Sequence, residues 1–148
     1  MDSDDDLLRL ELPDSKHSRV QWGQLYGAAQ SLAVAQAASE YAGLLCVVTN
    51  SAAAADRLER ELPFFMLEPT VARFSDYETL PYDAFSPPQE LVAERLATLS
   101  KLAHGHAGLL IVNSQALLTR LPPPEFIAAH SMSVRVGEHL DRLSMREQ

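Results

Sequence analysis

Two short apolar runs, Leu44–Thr49 and Leu109–Asn113, constrain the fold of this chain more than any other feature. Polar turn residues bound them, Asn50-Ser51 after the first and Ser114 after the second. Runs of this length mark strands buried on both faces, the kind found in parallel sheets covered by helices. The intervening segments carry helical periodicity. From Gln24 to Tyr41, a face of Leu25, Ala28, Ala29, Leu32, Ala33 and Ala37 predicts a helix that Gly43 breaks. Ser51 is placed to cap a helix over Ala52–Leu62, supported by Asp56–Arg60 and Arg57–Glu61 pairs and ended by Pro63. Val71–Phe74 reads as a further short strand, and Ser114 as the cap of a short helix before Leu121-Pro122-Pro123-Pro124. The alternation predicts an α/β fold, a parallel sheet with helices on both faces.

Between Val71–Phe74 and Leu109–Asn113 lies the segment DYETLPYDAFSPPQELVAERLATLSKL, residues 76–102. It reads as a tyrosine- and proline-rich loop running into an amphipathic helix. Ser86 is the expected N-cap, Pro87 suits the first helical position and Gln89 the capping box. Glu90 complements the positive end of the helix dipole. Val92, Leu96, Leu99 and Ala103 make one apolar stripe, and Lys101, His104 and Gly105 form a helix stop.

Composition narrows the function classes. A chain of 148 residues is one domain's worth, and 47% hydrophobic with 22% charged residues is globular composition. No apolar run approaches ~18 residues and the N-terminus MDSDDDLLRL has no basic n-region, so neither a membrane span nor a secretory signal is expected and a cytoplasmic location is. The single Cys46 can make no intrachain disulfide and reads as a buried small hydrophobe. The formal net charge is −8, with Lys16 and Lys101 the only lysines and an acidic tip of Asp2, Asp4, Asp5 and Asp6. Nucleic-acid affinity rests on cations meeting phosphates, so direct binding of DNA or RNA by this segment is not expected.

Near His130 the pattern changes. Met132–Val136 alternates with period two, Gly137 turns the chain, and Asp141 is placed to cap a helix that Gln148 cuts short. The expected organisation is an N-terminal extension (1–22), an α/β domain (23–130) and the beginning of a second, truncated small domain (131–148).

Candidate chemistry is sparse. His104 and His106 lack an acid or cysteine at ligand spacing and read as residues of a helix-terminal turn. Asp76, Glu78 and Asp83 could form an acid/base cluster, which would make the chain a small α/β enzyme acting through the Asp83 loop at the sheet's carboxyl edge; turn formation is the plainer reading. Tyr77, Tyr82 and Phe85 are expected to pin the loop onto the sheet rather than stack on bases. Trp22 is expected to pack the incoming chain on the first helix rather than anchor a partner. No catalytic, cofactor-binding or metal-ligating residue is assigned.

The string ETLPYDAFSP, the ERLATLSKL helix and GLLIVNSQALLTRLPP together resemble the N-terminal region of bacterial transcription-repair coupling factor (Mfd). That region is in turn similar to the damage-recognition protein UvrB, and the resemblance extends more weakly from Gly23 to the C-terminal end. It implies a degenerate P-loop NTPase-like fold of the UvrB domain 1a type. A phosphate loop needs glycines and a lysine. Where the resemblance places that loop the chain reads Gly23-Gln24-Leu25-Tyr26-Gly27-Ala28-Ala29-Gln30-Ser31, and Thr49 and Asn113 end the strands without paired acids for magnesium. The expectation is an ATPase fold without its ATP site. UvrB-like proteins also insert a β-hairpin after the tyrosine-rich loop, and here Tyr82–Pro87 passes straight into the helix.

The resemblance therefore implies a non-catalytic module that imitates UvrB to recruit UvrA. In the family, ATP and Mg serve a C-terminal motor that translocates on DNA and displaces stalled RNA polymerase. The N-terminal module also restrains that motor by intramolecular contact. The family's UvrA contact lies mainly on the second domain, of which residues 131–148 would be only the start.

Overall fold

The strands β1 (Leu44–Thr49), β2 (Val71–Phe74) and β3 (Gly108–Asn113) form one parallel sheet in the order β1-β3-β2. Among the described residues four α-helices accompany it: α1 (Ala29–Glu40), α2 (Ala52–Glu61), α3 (Gln89–Ala103) and α4 (Pro124–His130). The structure is a computed structural model that describes residues 10–13, 18–67, 69–77, 79, 84–131 and 137. The expected strand Met132–Val136, the cap at Asp141 and the acidic tip lie outside the described residues.

The connection from β1 to β2 passes β3's position in one direction, and that from β2 to β3 steps back. Right-handed crossovers then place α2 and α3 on opposite faces. The core follows that division. Leu109 and Ile111 of β3 pack with Ala35 of α1, Ala55 and Leu58 of α2, and Leu62. On the other face Phe74, Val112 and Ala116 meet Leu99 of α3. The α/β sheet with helices on both faces is thus as the alternating pattern predicts.

Several local expectations are corrected. The central strand is β3; β1 is an edge strand whose residues alternate in exposure, and Leu44, Cys46 and Val48 form its open side. Cys46 is accordingly exposed rather than buried. Helix α1 begins at Ala29 instead of Gln24, because Gln24 (φ 59°) and Gly27 (φ 58°) take left-handed backbone that ends any earlier helical run. Its buried residues are Ser31, Ala33, Ala35 and Ala37, all small. Helix α2 does end just before Pro63, at Glu61, and the chain goes on into a 3-10 turn over Leu62–Phe64, where the missing N–H of Pro63 is tolerated.

Ser51 does cap α2, accepting from the Ala54 amide at 3.2 Å, and Arg57 pairs with Glu61 at 2.8 Å. Asp56 turns instead to Arg73 of β2, at 2.8 Å, and not to Arg60. Ser86 is no cap. Pro88 holds the N-cap position of α3 with extended backbone, and Val92 makes the first intrahelical bond to its carbonyl at 3.1 Å. The cause is Pro88 itself, whose ring disfavours helical backbone at Pro87. Nor does Ser114 cap the next turn. The Asn113 side chain accepts from the Ala116 amide at 2.9 Å and starts a 3-10 turn over Ala116–Leu118. Helix α4, with Pro124 in its first turn, was not anticipated by a proline run that reads as loop.

These caps separate cleanly by mutation. Ser51→Ala is expected to cost about 1 kcal/mol, and Ser86→Ala to stay within about 0.5 kcal/mol of the unmodified protein. Urea titration of both variants checks the pair, and an equal loss in each would contradict the assignment.

Candidate functional site

Parallel sheets present ligands at the carboxyl ends of their strands, and here those ends are Thr49, Phe74 and Asn113. Two constellations sit near them. The first is a cleft of about 600 Å³ between the start of α1, the end of β1 and α2, lined by Trp22, Leu25, Ser31, Val34, Thr49 and Arg57 among others. Two of its polar groups, Arg57 and Ser31, share one acceptor. Arg57 donates to the Gly27 carbonyl and to Glu61, and the buried Ser31 hydroxyl donates to the same carboxylate at 2.5 Å. Hydrogen bonds from Ser31 and Arg57 hold the Glu61 carboxyl below the usual glutamate range. Trp22 borders the cleft and donates its indole N–H to the Glu11 carbonyl at 2.9 Å, which fixes the incoming chain.

The second constellation is a set of polar contacts at the carboxyl ends of β2 and β3. Asn113 donates to Asp76 at 3.0 Å while capping the following turn. Arg95 of α3 is only 2% exposed. Its guanidinium lies 4.0 Å from the ring centres of both Phe74 and Tyr77, and it donates to the Ser75 carbonyl. Thr98, one turn further on, donates to the Arg73 carbonyl at 2.8 Å. The buried row of α3 is therefore Arg95 and Thr98, whereas Leu96 of the expected apolar stripe is 52% exposed. The physical reason is β2, an edge strand whose end leaves carbonyls at Arg73 and Ser75 that α3 satisfies with donors.

The sequence candidates are thus distributed. Asp76 is held by Asn113, and Tyr77 stacks on Arg95. Glu78, Tyr82 and Asp83 lie outside the described residues. Phe85, expected to pin the loop, is 78% exposed. His104 bonds back to the Ser100 carbonyl at 2.7 Å, as a helix-end imidazole does. Among the described residues no group of three or more metal-capable side chains converges. Burial by neighbours pushes the Cys46 thiol above its ordinary pKa, so its exposure does not make it an activated thiolate. Arg95 and Asn113 were not singled out by the sequence. The only available signal was an arginine on the inward side of a helix otherwise patterned for a core.

No family model matches the sequence. It is 35% identical over 140 residues, 95% of this chain, to the transcription-repair-coupling factor of Escherichia coli (strain K12). The chain is related to the transcription-repair-coupling factors. The coupling factor of Haemophilus influenzae is 31% identical over 93% of the chain, and that of Staphylococcus aureus (strain USA300) 32% identical over 78%. The chain spans 12% of the length of the Escherichia coli and Haemophilus influenzae coupling factors. The resemblance carried by the loop, the helix and the β3 segment thus extends over nearly the whole chain. Among the described residues no helix is long and apolar enough to cross a membrane.

Proposed function

We propose that this chain is the N-terminal, non-catalytic module of a transcription-repair coupling factor acting in the cytoplasm. In that role it helps bring the UvrA-containing excision repair machinery to DNA where RNA polymerase has stalled. Residues 23–130 form its α/β body and residues 131–148 begin a second domain. The observation that carries the reading is the alignment with coupling factors over 95% of the chain. Two features support the non-catalytic part. The groups at the start of α1 are committed to one another, Arg57 to Gly27 and Ser31 to Glu61. Neither Thr49 nor Asn113, at the strand ends, brings a carboxylate pair that could hold magnesium. ATP and Mg belong to a C-terminal motor of the whole protein, as do DNA translocation and contact with RNA polymerase. The module restrains that motor by intramolecular contact.

The proposal assigns the UvrA contact mainly to the second domain. Immobilised UvrA is expected to retain the 148-residue chain weakly and a longer polypeptide that completes that domain strongly, at matched concentration. Equal retention would show that the contact surface lies within this chain. No retention of either would contradict the recruitment role.

A further inference from the structure

Two residues that line the cleft at the start of α1, Ser31 and Arg57, share one carboxylate behind it. Glu61, in the last turn of α2, accepts from the buried Ser31 hydroxyl in the first turn of α1 and from Arg57 one turn back. Arg57 reaches on to the carbonyl of Gly27, the left-handed residue just before α1. One carboxylate thereby ties three elements together: the turn leading into α1, the first turn of α1, and α2. No cap holds the start of α1 otherwise, since Ala28 at its N-cap makes no side-chain cap bond and no acidic residue lies in the first turn.

We infer that Glu61 is an internal anion that latches the start of α1 to α2, so that the cleft is held in shape from within, without a bound acid group. This goes beyond the recruitment role and does not depend on it. Among the described residues the charged groups facing Glu61 are Arg57 and Arg60 of α2; α1 presents the Ser31 hydroxyl, and the 3-10 turn after α2 consists of Leu62, Pro63 and Phe64. Because these partners lower the folded pKa of Glu61, the latch is complete above the ordinary glutamate pKa. It is lost as pH falls through the lowered value.

Hydrogen exchange read by mass spectrometry on the intact chain tests this. The reporter is the Leu32 amide, which makes the first ladder bond of α1, to Ala28 at 3.0 Å. At neutral pH, Glu61→Gln and Ser31→Ala are each expected to speed exchange there by about threefold or more, with β3 amides unchanged. Alanine is the better helix former, so faster exchange in Ser31→Ala comes from the lost tie and not from propensity. On acidification the native protein, corrected for intrinsic exchange, should acquire the variant's local opening, while Glu61→Gln shows no such pH step. Unchanged Leu32 exchange in both folded variants would overturn the inference. Equal acceleration in β3 would also overturn it, because Glu61 would then support the whole fold rather than this turn.

Discussion

Arg95→Ala is expected to lower folding stability by about 3–4 kcal/mol. A guanidinium stacked between two rings and removed from water contributes about 2 kcal/mol or more through cation–π attraction, and a charged hydrogen bond to a carbonyl about 1.5–3 kcal/mol. These do not add simply, since both belong to one side chain that also fills space. Truncation would leave the Ser75 carbonyl without its donor and Phe74 and Tyr77 facing a void. Arg95→Lys should recover less than half of the loss. An ammonium cannot lie flat against both rings while reaching that carbonyl. Urea titration gives the stability difference from the shift in midpoint at constant m. A loss below about 1 kcal/mol for the alanine variant would mean that the sandwich contributes little beyond packing.

Gly108→Ala should cost about 3 kcal/mol, for a reason confined to the backbone. Gly108 opens β3 with φ +113°, and a Cβ there would lie 2.6 Å from the Thr70 carbonyl oxygen. That oxygen cannot yield easily, because it accepts from Leu109 at 2.9 Å where β2 joins the central strand. Gly105 is the natural control. Its φ is +79° but nothing lies within 4 Å of an added Cβ, so Gly105→Ala should cost only about 1 kcal/mol. Thermal or urea unfolding of the two variants distinguishes them. Similar costs would show that left-handed backbone, and not the collision with Thr70, dominates at Gly108.

The sheet was legible because burial leaves a simple signature. Leu109–Val112 is apolar without interruption, and it belongs to the strand with neighbours on both sides. Leu44–Thr49 carries the same signature yet lies at an edge, since composition reports what a strand can bury and not where it stands in the order. The cap at Ser51 was legible because it depends on residues three apart. The cap at Ser86 was misread because Pro88 changes what Pro87 can do. The least legible feature was the set of polar contacts at the ends of β2 and β3. Arg95 and Asn113 are far from Ser75 and Asp76 in sequence and reach them only when β2, α3 and β3 come together. The cleft was partly legible, with Gly27 and Ser31 marked by position, whereas Glu61 entered the sequence reading only as half of an i,i+4 pair.

The central claim is that this module acts by contact and not by turning over a nucleotide. Isothermal calorimetry of the 148-residue chain with ATP and magnesium tests it most directly. No saturable heat is expected through the micromolar range, in the native protein as in Gly27→Ala and Ser31→Ala. A micromolar dissociation constant in the native protein, abolished by either change, would contradict it and place a working nucleotide site at the start of α1.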